Sequence, residues 1–189
     1  MKTWELPIAL EVAGRMRPIR TDFRPILDIM AAFSDPDLKV EEQWEVCLRI
    51  LYKFPDEFRQ EEIQEALEKA VWFLSMGDPQ LQGNQARPIK LMDWEQDANI
   101  LIPAINKSLG CEIRQKKFMH WWTFMAGYMS IQEGLFSEVL NIRIKKEKGK
   151  KLEKWEQEFL RENKDLVLLK TKYTAEDIAE QERLKAELG

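Results

Sequence analysis

Residues 118–131 form the most apolar stretch of the chain, with aromatic or aliphatic side chains at most positions. A helix that is apolar on every side is expected to be buried on every side. The stretch is shorter than the roughly 20 residues that an α-helix needs to span a bilayer, and it contains His120. It therefore predicts the central, enclosed helix of a water-soluble domain.

Segments on both sides of this stretch repeat their apolar residues with the spacing of amphipathic helices. Thr21 is positioned to cap the first of them, and Pro103 is expected to kink the fourth. The fold class that follows is mainly α, a single helical domain. The helices are predicted near residues 23–33, 40–51, 63–74, 94–109 and 135–144.

The N-terminal segment shows a different pattern. Ile8, Leu10 and Val12 alternate with less apolar residues, which is typical of a β-strand. Gly14 can take the positive φ of a tight turn. The pattern predicts a small β-hairpin over residues 6–20, and this hairpin must lie against the helices because an isolated hairpin is marginally stable in water.

The composition changes after residue 144. Residues 143–154 contain seven basic and two acidic residues, which favours a linker. We therefore expect a helical core domain over residues 1–144, hairpin included, and a weakly attached extension over residues 145–189 with a charged linker and C-terminal helices. The apolar residues of this extension are candidates for binding a partner, and the alternative is that residues 152–169 pack back on their own domain. The candidates are Trp155, Phe159, Leu160, Ile178 and Leu184.

Composition argues against several classes of function. The net charge of −4 gives no general reason to expect a nucleic-acid partner. Cys47 and Cys111 have no CxxC spacing and are expected to be free thiols in a reducing compartment. No nucleophile motif or glycine-rich phosphate loop is present, and a single histidine excludes a multi-histidine metal site. We expect no catalytic site, metal or cofactor, no membrane segment and a cytosolic protein.

Polar residues on three of the predicted helices need partners. Asp93, Glu95 and Asp97 suit a helix N-terminus, where carboxylates complement the macrodipole. The alternative is that they form a glycosidase-like acid pair or a metal site, but no motif in the sequence supports either. Because buried polar groups are nearly always hydrogen-bonded, we expect Asp97, His120 and Arg143 to approach one another as a structural polar cluster.

Several of these segments together resemble a known family. Thr21-Asp22-Phe23-Arg24 follows the hairpin, Asp93-Trp94-Glu95-Gln96-Asp97-Ala98 precedes His120-Trp121-Trp122-Thr123-Phe124, and Arg143 closes the block. The arrangement resembles the gene-product-fifteen family of siphophages and prophages of Gram-positive bacteria, over roughly residues 6 to 170. The acidic segment followed by His-Trp-Trp is the most specific part of the resemblance.

The resemblance implies a function in phage morphogenesis without catalysis. Members of that family are regarded as tail assembly chaperones, so the expected partners are the phage tape-measure protein and the tail tube protein, and further copies of this chain are a candidate partner. The expected location is the host bacterial cytoplasm, and the protein should be absent from the mature virion. The alternative is a structural tail, connector or baseplate component that stays in the virion.

Overall fold

The structure is a computed structural model that describes residues 4–78 and 91–174, together with residues 176, 177, 179, 180, 183 and 184. Within these residues the fold is mainly α with one small antiparallel hairpin, as predicted. The strands are β1 (Ala9–Val12) and β2 (Arg15–Pro18). The helices are α1 (Phe23–Phe33), α2 (Val40–Leu51), α3 (Ile63–Leu74), α4 (Ala98–Leu109), α5 (Trp121–Met129), α6 (Leu135–Glu147), α7 (Lys154–Glu162) and α8 (Lys164–Val167).

The hairpin turns at Ala13 and Gly14, whose φ angles are 49° and 70°. Two successive residues with positive φ correspond to the tight turn that matches the twist of the flanking strands. Leu10 and Val12 point into the core as predicted, but Ile8 is 72% exposed. The predicted strand pattern included Ile8, but β1 begins one residue later, at Ala9.

A short backbone ladder joins the start of α1 to the start of α5. The Phe23 amide donates to the Met119 carbonyl at 3.0 Å, and the Trp121 amide donates to the Thr21 carbonyl at 2.7 Å. Asp22, and not Thr21, caps α1, because its carboxylate accepts from the amides of Arg24 and Met119. Residues 21–24 and 119–121, which are far apart in the chain, are thus locked together.

The apolar stretch does not form a helix enclosed on all sides. Helix α5 begins at Trp121, and its residues alternate in burial with the period of one turn. Trp121, Phe124 and Gly127 are buried, whereas the opposite face of the helix is exposed. The prediction of an enclosed helix is wrong because α1, α3 and α4 cover only part of the circumference of α5. The exposed positions are Thr123, Ala126 and Met129.

The C-terminal helices return to the domain. Helix α6 continues through the predicted boundary at residue 144 and ends at Glu147. Lys145 on α6 binds Glu156 on α7 at 2.7 Å, and the Glu156 side chain is almost inaccessible. Val167 at the end of α8 is fully buried. Residues 152–167 therefore pack against the helical core, as in the alternative weighed for residues 152–169.

Candidate functional site

Asp97 and Arg143 form a buried ion pair between the start of α4 and the middle of α6. Arg143 Nη1 lies 2.7 Å from Asp97 Oδ2, and Arg143 Nη2 lies 2.8 Å from Asp97 Oδ1. The Asp97 side chain has no exposed surface, and that of Arg143 is 6% exposed. This two-pronged geometry is the strongest form of an arginine–carboxylate contact.

The same guanidinium holds the end of the C-terminal helices. Arg143 Nε donates to the carbonyl of Val167 at 2.7 Å, and Nη2 donates to the carbonyl of Leu166 at 2.9 Å. Nη1 also donates to the carbonyl of Leu91 at 3.0 Å. All five N–H groups of arginine are therefore used, and the pair with Asp97 is the point where α4, α6 and α8 meet.

His120 does not share in this pair. Its Nδ1 accepts from the Trp122 amide at 3.1 Å, which makes His120 the N-cap of α5. Because Nδ1 accepts, the neutral ring carries its proton on Nε2, which donates to the carbonyl of Pro7 at 3.0 Å. Burial lowers the pKa of His120, and the bond to Pro7 opposes this only in part. The expected cluster of three is thus a pair, and His120 instead ties the N-terminal segment to α5.

The acidic turn before α4, residues 93–97, is organised by its own carboxylates. The Asp93 side chain accepts from the amides of Glu95 and Gln96, and the Asp97 side chain accepts from the Asp93 amide at 2.9 Å. These bonds give the free backbone N–H groups before α4 their acceptors. They explain why carboxylates lie at the N-terminus of this helix, as the sequence pattern indicated. Within the part of the chain that the structure describes, no group of His, Cys, Asp and Glu side chains could hold a metal ion.

The candidate partner residues fall into different environments. Trp155 is 53% exposed and Leu184 is 50% exposed. Phe159 and Leu160 are half-buried against the core, so only part of each side chain is open to a partner. Ile178 lies outside the described residues.

The sequence matches a known protein family. The sequence model of the family described as "Bacteriophage Gp15 protein" matches residues 3–169. This chain belongs to the bacteriophage Gp15 family. No curated protein and no solved structure matches it. The match spans the hairpin and helices α1 to α8. It contains both Asp97 and Arg143, so the buried pair lies within the family's region.

The surface of this Gp15 protein carries an apolar patch that the sequence pattern did not reveal. Leu6, Ile8 and Met16 are exposed on the hairpin and line a groove of about 430 Å³ beside Trp72 of α3. We call these three residues the hairpin surface. Met16 stands opposite Glu11 in the ladder. Residues directly opposite each other share one face of a sheet, so Met16 lies on the same solvent-facing side as this glutamate. Among the described residues, no helix is long and apolar enough to cross a membrane.

Proposed function

We propose that this Gp15 protein is a tail assembly chaperone that binds the phage tape-measure protein in the host cytoplasm. In this proposal the protein keeps the tape-measure chain soluble and acts without catalysis. The tail tube protein then displaces it from the tape-measure protein. Membership of the Gp15 family supports a role in the phage. The hairpin surface is the observation that carries the chaperone role.

A chaperone for a long amphipathic chain needs apolar surface that is open before binding. Leu6, Ile8 and Met16 are 48%, 72% and 64% exposed. Large exposed apolar patches mark docking sites in soluble proteins, and an amphipathic helix can lay its apolar face in such a groove. Burying what is exposed of the three side chains contributes about 1–2 kcal/mol each. The sum of about 3–6 kcal/mol does not exceed the cost of association by itself, so binding needs further contacts along the partner and stays weak enough for a partner that must later be released.

The test is co-expression with the tape-measure protein encoded beside this gene, scored by its solubility and by co-purification. A variant carrying Ile8→Ser and Met16→Ser should lose most of the co-purified tape-measure protein. Val40→Ser is the matched control, since Val40 is 62% exposed and does not line the groove. The C-terminal candidates form a separate arm with Trp155→Ser, because Trp155 is also exposed.

Two results would contradict the proposal. The first is a tape-measure protein whose solubility does not depend on this protein. The second is recovery of the protein from purified mature particles in stoichiometric amounts, which would favour a structural tail, connector or baseplate component instead.

A further inference from the structure

A groove lies beside the segment that follows α8. It has a volume of about 1120 Å³ and is bounded by the α1–α2 connection, by the acidic turn 93–97 and by residues 170–173. We call residues 168–173 the strap. Carboxylates line the two walls that face the strap, while the strap itself carries lysines. The carboxylates are Asp35, Asp37, Asp93 and Glu95, and the lysines are Lys170 and Lys172.

Gln96 binds the backbone of the strap at two points. Its Nε2 donates to the carbonyl of Leu168 at 2.7 Å, and its Oε1 accepts from the amide of Lys170 at 2.9 Å. The carboxamide therefore pairs with a C=O and an N–H two residues apart, as a neighbouring strand would. Such contacts recognise an extended peptide through its main chain and not through its side chains.

The acidic turn adds recognition of a positive charge. Lys172 Nζ lies 3.2 Å from Glu95 Oε2 and 3.5 Å from Asp93 Oδ2. Lys172 stands two residues after the amide that Gln96 binds, so on an extended chain it lies on the same side as Lys170. The turn thus selects an extended segment with a lysine at one defined position.

The strap is held far less firmly than the helix before it. Val167 is fully buried, and its carbonyl is bound by Arg143. None of the six side chains of the strap is buried, and its contacts to Gln96 and Glu95 are exposed to solvent. Exposed ion pairs and hydrogen bonds hold weakly. The contact of Lys172 with the buried carboxylate of Asp93 is the longer of its two ion pairs, so the strap is attached less firmly than α8.

We propose that the strap occupies a peptide-binding site formed by Gln96 and the acidic turn at the edge of this groove, and that this site receives an extended, lysine-bearing segment of a partner protein when the strap is displaced. A tethered strap has an effective concentration on the order of millimolar, so it blocks weak ligands and yields to a partner that makes additional contacts. This inference concerns a surface other than the hairpin surface and does not depend on the proposed chaperone role.

The test uses the full chain and a fluorescent peptide with the sequence of residues 168–173, followed by fluorescence anisotropy. Lys170→Pro removes the N–H that donates to Gln96, and Lys172→Ala removes the ion pairs, so the double variant weakens the attachment of the strap and leaves Gln96 and the acidic turn unchanged. It should bind the peptide about fivefold to thirtyfold more tightly than the natural chain, which corresponds to losing about 1–2 kcal/mol of strap contacts. Lys170→Ala is the matched control, because it keeps the N–H and should bind nearly as the natural chain does.

Two further arms establish specificity. Adding Gln96→Ala to the double variant should abolish the gain, since the groove then lacks its main-chain contacts. A peptide with glutamates in place of both lysines should not bind to the freed groove. The inference is overturned if the double variant, folded with an unchanged melting temperature, binds the peptide no better than the natural chain, or if Gln96→Ala leaves the gain intact. The assay contains no phage partner, so its failure leaves the chaperone proposal standing.

Discussion

Replacing Arg143 tests whether the pair with Asp97 anchors the C-terminal helices. The Arg143→Met variant keeps much of the volume of the side chain but leaves the Asp97 carboxylate, which has no exposed surface, without its cation. Breaking a buried pair by removing one partner costs about 3–5 kcal/mol. The carbonyls of Leu166 and Val167 lose their donors in the same step, which places the expected loss at the upper end of that range.

The conservative variant separates charge from geometry. Arg143→Lys keeps the positive charge, but its single nitrogen has three donors where the guanidinium has five in a rigid fork. It cannot bind Asp97 and all three backbone carbonyls together, so we expect an intermediate loss of about 2–3 kcal/mol. For a chain of this size, 3–5 kcal/mol corresponds to a fall in melting temperature of roughly 6–20 °C.

Urea unfolding and thermal melts measure these losses, and hydrogen exchange shows where they act. Amides of α8 should exchange faster in the Arg143 variants, because the guanidinium no longer holds that segment. Arg49→Met is the matched control. Arg49 pairs with Glu45 one helical turn away at 2.9 Å, but both side chains are more than half exposed, so the expected loss is at most about 1 kcal/mol. If Arg143→Met loses no more stability than Arg49→Met, the pair is not the anchor that its geometry indicates.

Three further predictions concern α5. Burial lowers the pKa of His120, so the unfolded chain binds a proton at this residue more readily than the folded chain does. The contribution of His120 to the free energy of unfolding is therefore fully present above about pH 6.5 and is lost as the pH falls. His120→Asn, which can still cap the helix, should flatten this pH dependence in urea unfolding between pH 5 and 7. Gly127→Ala should destabilise the fold by about 1–3 kcal/mol, since the new Cβ would lie 2.6 Å from Leu109 Cγ, and a stability equal to that of the natural chain would refute this packing. Trp121→Ala should cost about 3–5 kcal/mol because the indole is 1% exposed, and a melting temperature that does not change would contradict its place in the core.

Local patterns in the sequence were sufficient for most of the secondary structure. The apolar spacing placed α2 and α3 at residues 40–51 and 63–74, where the structure has them, because one turn of a helix repeats every 3.6 residues and each repeat must face the core. The turn at Gly14 and the left-handed end of α4 at Gly110 were equally local, since glycine is the residue that takes positive φ without strain.

The sequence also identified polar residues that needed partners but could not assign them. Asp97 and Arg143 are 46 residues apart, and burial alone does not say which donor meets which acceptor. His120 was expected in the same cluster, yet it binds the carbonyl of Pro7, a backbone group near the other end of the chain. A carbonyl is present at every residue, so no pattern of side chains singles this one out.

Only the tertiary structure decided which apolar surfaces are covered. Helix α5 is apolar all round in sequence, but packing on one side leaves Met129 exposed. The strap carries two lysines, and only the return of α7 and α8 brings Lys172 to the acidic turn before α4. These outcomes depend on how distant elements pack, and the physical reason is the same in each case: burial and pairing are properties of two surfaces that meet, whereas a sequence pattern describes only one of them.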